Sequence, residues 1–267
     1  MLLAVDIGNT NIVVALFHKG EIVKEWRIHS NPDRTADEYT SILRSLFRDT
    51  GVTVSSIDSS ILSSVVPLLY GPFIHLLEGI CGHKPYIVGP AIYDKLPIKI
   101  PSSAMHEIGS DLVCNAVEAW SQFQQPLIIA DFGTALTFTV IDGNGKIQGV
   151  AIAPGIKTAI NSLFTNTAQL PSVPLEAPVD SLGTNTIQSI QAGIILGYKG
   201  LVESLIKRMK SDLVKKTNCV EKNIKVIATG GLNSVLKPIT VCIDDVDKNL
   251  TLKGLYRIAC ILYGKNL

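Results

Sequence analysis

Two aspartates follow short apolar segments whose residue pattern predicts buried β-strands. Asp6 follows Leu2–Val5, and Asp131 follows Leu127–Ala130. A carboxylate in such a position is costly unless it is hydrogen-bonded, paired or bound to a cation. The small residues after each aspartate let backbone N–H groups approach an anion closely. Two such loops facing each other would hold a polyphosphate, while the carboxylates place its cations.

The same residues also have a purely structural interpretation, because Asp-Gly and Gly-Asn sequences make ordinary turns. Repetition of the pattern favours the functional interpretation. Each aspartate belongs to a three-strand unit with a tight turn after the first strand and a glycine-containing hairpin turn after the second. The strands are predicted at 2–6, 12–17 and 22–28 in the first unit, and at 127–131, 136–141 and 147–152 in the second.

A third carboxylate, Asp111, directly precedes the apolar stripe of a predicted amphipathic helix. That stripe consists of Leu112, Val113, Ala116, Val117 and Trp120. An aspartate near a helix start favours the helix dipole and caps free N–H groups. From spacing alone, capping is therefore the expected role of Asp111.

The longest helical pattern runs from about Thr186 to Leu213. Its apolar positions are Ile187, Ile190, Ile194, Tyr198, Leu201, Leu205 and Met209. Gly193, Gly197 and Gly200 share one face, and each costs about 1 kcal/mol relative to alanine. We expect another helix or backbone to approach this face closely; the alternative is that the glycines are tolerated defects. Together the patterns predict two similar α/β halves around a central cleft.

Composition and motifs exclude several classes of protein. The 24 basic and 23 acidic residues give a net charge of +1, so we expect no nucleic-acid footprint. There is no P-loop, strand-linked G-x-G-x-x-G or G-x-S-x-G motif. The histidines and five cysteines lack metal-ligand or disulfide spacing. No apolar run approaches the roughly 20 residues of a membrane span, and the opening residues do not resemble a signal peptide. We therefore expect a soluble, cytoplasmic protein.

Taken together, the motifs resemble those of the type III pantothenate kinases. They occur in the order seen in that family, from residue 1 to about residue 260: Asp6-Ile-Gly-Asn-Thr10, Gly109-Ser-Asp111, Asp131-Phe-Gly-Thr134, Ala153-Pro-Gly155, Gly183-x-Asn185-Thr186 and Ala228-Thr-Gly-Gly231. The family belongs to the acetate and sugar kinase, Hsp70 and actin superfamily. The resemblance therefore implies an α/β, duplicated actin-like (ribonuclease H-like) ATPase fold, with halves expected at 1–122 and 123–267.

The resemblance also implies an activity: ATP-dependent phosphorylation of pantothenate to 4'-phosphopantothenate, the first step of coenzyme A biosynthesis. Its cofactors would be ATP, magnesium and a monovalent cation, either potassium or ammonium. A homodimer is implied as well, and the glycine face of the 186–213 helix is a candidate for the contact. Neither nucleic acid nor a membrane is expected as a partner.

Residue roles follow from the same resemblance. The first phosphate loop would consist of Asp6, Ile7, Gly8, Asn9, Thr10, Asn11, Ile12 and Val13, with Asp6 near the magnesium. Asp111 matches the general base that takes the proton from the pantothenate hydroxyl. Asp131 matches the residue linked to the monovalent cation. The remaining matches are Thr134, Gly230 and Gly231 on the ATP side, and Gly109, Ser110, Leu112 and Thr186 on the pantothenate side.

Two positions depart from the family pattern. Leu112 stands where arginine is typical, and Ser102 aligns with a family tyrosine. Both lie in the part of the motif that shapes the pantothenate side. Two alternatives therefore stay open: a kinase of the same fold with a changed hydroxyl acceptor, and a non-catalytic nucleotide-binding regulator. Retention of Asp111 and of both phosphate loops argues against the regulator.

Overall fold

Each of the two predicted three-strand units forms one side of a five-stranded sheet. The computed structural model describes residues 1–165, 173–178, 180–231 and 240–264. Within these residues, the strands and helices in chain order are β1 (Leu2–Ile7), β2 (Asn11–His18), β3 (Glu21–His29), α1 (Ala36–Asp49), β4 (Ser59–Ser64), α2 (Tyr70–Cys81), β5 (Tyr86–Ile87), α3 (Ser110–Phe123), β6 (Leu127–Phe132), β7 (Ala135–Ile141), β8 (Ile147–Pro154), α4 (Ile156–Thr165), α5 (Thr186–Gln191), α6 (Gly197–Thr217), β9 (Lys225–Thr229), β10 (Asp245–Val246) and α7 (Leu250–Tyr263).

The two sheets have the same topology. The strand order is β3-β2-β1-β4-β5 in the first sheet and β8-β7-β6-β9-β10 in the second. In each sheet the three strands of the predicted unit pair antiparallel, and the last two strands are added in parallel. This shared order confirms the predicted duplicated α/β fold.

The central strands β1 and β6 are buried along nearly their whole length. Such near-continuous apolar strands are typical of sheets that are covered on both faces. The next-to-last residue interrupts the apolar run in each case, and it is Asp6 in β1 and Asp131 in β6. The two candidate aspartates are therefore held by the buried central strands of their sheets.

Helix α1 shows how the sequence specifies a flanking helix. Thr35 and Glu38 form a reciprocal capping box at its start. The buried side of α1 presents Tyr39, Leu43 and Phe47 to the core of the first sheet. These residues belong to the 3.6-residue period of an amphipathic helix.

The helical stretch predicted from Thr186 contains a π-helical segment, Ala192–Leu196, between α5 and α6. A π-turn holds more residues than an α-turn, so it changes which side chains face the core. The fully or nearly buried apolar residues of this stretch are Ile190, Ala192, Ile195, Tyr198, Val202, Ile206 and Leu213. The predicted Ile194, Leu201 and Leu205 are partly buried instead.

The division into units differs from the predicted boundary at one end. The first unit comprises Met1–Gln122 and Leu250–Leu267, and the second comprises Phe123–Asn249. The predicted second half, 123–267, included α7. In the structure α7 packs against the first sheet and therefore belongs to the first unit. The ring of Tyr256 stacks on Phe17 with centroids 4.9 Å apart. In the described ranges, no helix is long and apolar enough to cross a membrane.

Candidate active site

Asp6 is fixed by a neighbouring strand of the first unit. In the parallel pairing of β1 with β4, Asp6 lies opposite Ser63. Ser63 Oγ donates a hydrogen bond of 2.8 Å to Asp6 Oδ1. This contact satisfies one oxygen of a carboxylate that would otherwise be costly to place in a buried strand.

The loop after Asp6 is a tight turn between β1 and β2. Gly8 N–H donates to Asn11 O at 3.0 Å, and a Cβ on Gly8 would lie 3.1 Å from the same oxygen. Asn9 and Thr10 are exposed, whereas the side chains of Ile7 and Ile12 are fully buried. Of the predicted loop residues, the two isoleucines therefore belong to the core, and the accessible part is 8–11.

Asp111 lies in the first turn of α3, and its carboxylate accepts the N–H of Leu112 at 2.8 Å. Burial raises the pKa of this carboxyl group, while the hydrogen bond from Leu112 lowers it. A Cβ on Gly109 would overlap Asp111 Oδ1, so a side chain at position 109 would displace the Asp111 carboxylate. The raised pKa is the direction that favours a general base.

Two hydroxyl groups join Asp6 to the start of α3. Ser110 is the first residue of α3, and Ser110 Oγ lies 2.9 Å from Ser63 Oγ. Cys114, one turn further along α3, is fully buried. Burial raises the pKa of its thiol well above the ordinary value, and the charges of Asp6 and Asp111 raise it further. The structure therefore brings Asp6, Ser110 and Asp111 together within the first unit.

In the second unit, Asp131 lies opposite Thr137 of β7 and Thr229 of β9. Residues paired in this way point to the same face of a sheet. The Oγ1 atoms of both threonines are buried, and within the described residues neither has a hydrogen-bond partner. Unsatisfied buried hydroxyl groups are uncommon and call for an explanation such as a bound ion or water.

Gly230 follows β9 and lies against the same carboxylate. Its φ of +85° is a left-handed conformation that favours glycine. A Cβ at this position would lie 2.7 Å from Asp131 Oδ1 and 2.6 Å from Phe132 O. Gly231 is exposed, and residues 232–239 lie outside the described ranges. The predicted pair of glycines therefore begins a turn directly beside Asp131.

The Ala-Pro-Gly motif supports the loop that follows Asp131. Gly155 N–H and Thr158 Oγ1 both donate to Thr134 O, at 3.0 and 2.7 Å. A Cβ on Gly155 would overlap Gly133 O, so only glycine permits this approach. The backbone of Thr134 is held in place while its side chain is exposed.

Thr186 is the first residue of α5. Asn185 Oδ1 caps the helix by accepting Gln188 N–H at 3.0 Å. Gly183 passes so close to the helix start that a Cβ would overlap the backbone of Ser189. Thr186 is exposed at this capped start. The Gly-x-Asn-Thr motif thus builds a helix N-terminus, where N–H groups are available to an anion.

The two departures from the family pattern differ in environment. Leu112 is 7% exposed, so its side chain is buried. Ser102 is exposed in a short 3₁₀ turn, Ser102–Ala104. Tyr93, which the sequence analysis did not single out, is also buried in the first unit. Burial raises the pKa of Tyr93 to about 12, and the charges of Cys114, Tyr70 and Asp111 contribute.

The duplicated sheets, each with a carboxylate near the end of its central strand, define an α/β protein of the actin-like ATPase fold. A family model of type III pantothenate kinases matches residues 2–208. The type III pantothenate kinase of Geotalea uraniireducens is 40% identical over 266 residues, covering 100% of this chain and 99% of that protein. The enzyme of Moorella thermoacetica is 40% identical over 266 residues, covering 100% of both. The chain belongs to the type III pantothenate kinase family.

Solved structures agree with the fold. A crystal structure from Campylobacter jejuni, described as a conserved Baf family transcriptional activator, superposes with a TM-score of 0.60. It covers 99% of this chain and 100% of its own chain, at 17% sequence identity. At that identity the likeness supports the shared fold and carries nothing about activity.

Proposed function

We propose that the chain transfers the γ-phosphoryl group of ATP to the hydroxyl group of pantothenate and so performs the first step of coenzyme A biosynthesis. The relationship to type III pantothenate kinases over the whole chain carries this proposal. Asp6, Asp111 and Asp131 stand at the matching motif positions. Phosphoryl transfer relies mainly on positioning and charge neutralisation, which such residues can supply.

Asp6 is the residue proposed to act near magnesium. The divalent ion neutralises charge that develops on the transferred phosphoryl group. Magnesium is usually bound through one or two carboxylates together with substrate phosphates. In the part of the chain that the structure describes, no three His, Cys, Asp or Glu side chains form a metal-binding group. A single carboxylate held by Ser63 fits an ion that arrives with ATP.

Asp111 is the proposed general base for the pantothenate hydroxyl. Its raised pKa, caused by burial, supports the role because proton transfer is most efficient when the pKa approaches the working pH. The N–H group of Leu112 restrains the carboxylate at the helix start. Capping of α3 and base catalysis are therefore compatible roles for one side chain.

Asp131 is the proposed contact for the monovalent cation. The two unsatisfied hydroxyl oxygens of Thr137 and Thr229 are on the same face of the sheet as Asp131 and support this role. Oxygen ligands of this kind suit a hard cation.

The other matched residues complete the proposal. The loop residues 8–11 and Thr134 would contact the phosphates of ATP, and Gly230 with Gly231 would line the turn near its nucleoside. The capped start of α5 at Thr186 would contact pantothenate, whose carboxylate suits a helix N-terminus. Gly109, Ser110 and Leu112 would contribute to the pantothenate side through the start of α3.

Leu112 and Ser102 support a second candidate, a kinase of this fold with another hydroxyl acceptor. Leucine cannot replace the fixed charge and the five N–H donors of arginine. Because Leu112 is buried, a charged side chain at this position would also need a different environment.

We propose a homodimer that uses the glycine face of the 186–217 helical stretch. Gly193, Gly197 and Gly200 are exposed, and a Cβ at each would meet no described atom within 4 Å. The close approach expected within the chain is therefore absent from the described residues, and the face can accept a second copy. A dimer in sedimentation experiments that Gly197→Leu dissociates, without loss of helicity, supports this contact; a persistent dimer contradicts it.

A coupled assay of ADP release, with and without pantothenate, tests the proposed activity. We expect release to require pantothenate, magnesium and Asp111. Asp94→Asn is the matched control, because Asp94 is an exposed carboxylate of the same unit. Release that requires a different hydroxyl compound would favour the changed acceptor. Nucleotide binding without release for any acceptor would favour a regulator.

A further inference from the structure

We propose that Ser63 and Ser110 are positioning residues that act as one unit, holding the Asp6 carboxylate and the first turn of α3 in a fixed arrangement. The inference rests on the proposed function, since it concerns the same site. It adds Ser63, which has no assigned contact with ATP or the acceptor, and it gives Ser110, matched above to the pantothenate side, a specific positioning role. Their effect on the reaction passes through Asp6 and Asp111.

The contacts that carry the proposal connect three elements. Ser63 of β4 donates to Asp6 Oδ1 of β1 at 2.8 Å. Ser63 Oγ also lies 2.9 Å from Ser110 Oγ at the start of α3. A strand, its parallel neighbour and a helix that comes 46 residues after Ser64 in the chain are thus joined through two side-chain oxygens.

Ser110 is attached to β4 by its backbone as well. Ser64 N–H donates to Ser110 Oγ at 3.0 Å, and Ser110 Oγ donates to Ser64 O at 2.9 Å. The Ser63 proton is used by Asp6, because a carboxylate can only accept. The Ser110 proton is then shared between the Ser64 carbonyl and Ser63 Oγ. Each of the two hydroxyl groups therefore both donates and accepts a hydrogen bond.

Both serines are buried, with exposures of 0% for Ser63 and 5% for Ser110. Buried hydroxyl groups linked in this way rigidify a site when all members are satisfied. Asp111 follows Ser110 directly, so the anchor sets the position of the proposed base. A misplacement of about 1 Å at reacting groups can reduce a rate about a hundredfold.

Single and double alanine variants test the proposal. Removing the hydrogen bond to Asp6 in Ser63→Ala should lower kcat by about tenfold or more, as expected for a bond to a charged group. Ser110→Ala should lower kcat by a similar factor. Because the two hydroxyl groups act together, the double variant should be about as slow as the slower single variant. The KM for pantothenate should change less than about twofold.

Ser59→Ala provides the matched control. Ser59 is a buried serine on the same strand, and its Oγ donates to the Asp58 carboxylate at 2.7 Å. It has the same chemistry as Ser63 at the other end of β4. We expect wild-type kcat in this variant, and additive effects when it is combined with Ser63→Ala.

A second readout does not depend on turnover. The magnesium concentration that gives half-maximal binding of a non-hydrolysable ATP analogue, measured by calorimetry, should rise about threefold or more in Ser63→Ala. The melting temperature of the unliganded protein tests for a general loss of structure. Alanine favours helix formation, so Ser110→Ala should keep α3 intact. This variant therefore still tests the proposal if Ser63→Ala is unstable.

The outcomes separate this proposal from the proposed function. An inactive wild-type protein would overturn the kinase activity, and the magnesium dependence of nucleotide binding would still decide the role of the serines. An active wild type, with alanine variants within twofold in kcat and in magnesium dependence, would overturn the positioning role. Strictly additive losses in the double variant would overturn the claim that the serines form one unit.

Discussion

Asp131 and Thr229 lie directly opposite each other where β6 pairs in parallel with β9, and Asp6 and Ser63 have the same relationship in β1 and β4. The chemistry of the two pairs differs. Ser63 donates to its aspartate, whereas Thr229 Oγ1 has no hydrogen-bond partner among the described residues. Within the described residues, the duplicated framework thus gives Asp6 a hydroxyl donor and places a hydroxyl group without a hydrogen-bond partner beside Asp131.

The unsatisfied threonine gives a test of the monovalent cation. Thr229→Val removes the hydroxyl group with little change in shape. In choline chloride, the variant should gain about 1 kcal/mol in the free energy of unfolding, because a buried orphan donor is removed. With a non-hydrolysable ATP analogue, potassium should raise the melting temperature of the wild type and raise that of the variant much less.

Ser30→Ala is the control for this experiment. Ser30 Oγ is also buried without a partner in the described parts of the chain, and it is in the first unit. Its removal should leave the potassium effect unchanged. A full potassium effect in both Thr229→Val and Thr137→Val would contradict the placement of the cation at Asp131.

Asp111→Asn separates the proposed base from a helix cap. General base catalysis typically contributes a factor of about 10²–10⁴, so we expect kcat to fall at least about a hundredfold with ATP binding retained. Asp94→Asn should keep wild-type kcat. Turnover of the Asn variant within a few-fold of the wild type would leave Asp111 with the capping role alone.

The raised pKa of Asp111 also predicts the pH dependence of stability. A carboxyl group whose pKa is higher in the folded state gives full stability below its unfolded pKa, and this contribution is lost as the pH rises through the folded pKa. The wild type should therefore be less stable than Asp111→Asn at neutral pH. The difference should vanish below about pH 4, near the unperturbed value. Urea denaturation at several pH values measures it.

Local patterns were sufficient to predict the sheets and the carboxylates. Alternating and continuous apolar segments predicted the strands around Asp6 and Asp131, and the glycine turns predicted how they connect. The partners of these aspartates were not predictable in the same way. Ser63 and Thr229 face them because of the register between strands that are far apart in sequence. Serine and threonine in a strand give no local sign of such a contact.

The π-helical segment marks another limit of sequence patterns. A regular period of three to four residues placed Ile194 and Leu201 on the buried face, but Ile195 and Val202 are the fully buried residues. One additional residue in a turn moves each later side chain around the axis. Likewise, α7 belongs to the first unit because it contacts α3. No local sequence pattern indicates these contacts.

The ion pair between α3 and α7 predicts a stability effect. Arg257 Nε and Nη2 donate to the two carboxylate oxygens of Glu118, at 2.6 and 3.2 Å. The Glu118 side chain is 5% exposed, so Arg257→Ala would leave a nearly buried charge unpaired. Loss of a buried pair costs about 3–5 kcal/mol, and we expect about 2 kcal/mol because Arg257 is 41% exposed.

Urea denaturation of Arg257→Ala and Arg48→Ala tests this expectation. Arg48 and Asp49 are both mainly exposed, and such pairs contribute about 0–1 kcal/mol. A loss below about 0.5 kcal/mol in Arg257→Ala would contradict the importance of the pair. A loss that disappears in Glu118→Gln/Arg257→Ala would show that the unpaired charge causes it.

Gly254 predicts a further effect of the contact between α3 and α7, because it lies against the backbone of Cys114. A Cβ at Gly254 would overlap Cys114 O and lie 2.6 Å from its carbonyl carbon. Gly254→Ala should therefore push α7 from α3 and cost about 1–3 kcal/mol, as overpacking does. Gly79→Ala in α2 is the matched control, because a Cβ there meets no described atom within 4 Å. That substitution should gain about 0.5 kcal/mol from helix propensity.

Since α3 carries Asp111, Gly254→Ala should also lower kcat at temperatures where the variant is folded. Equal gains in stability for both glycine variants would show that α7 moves without cost and that α3 is positioned by β4 alone.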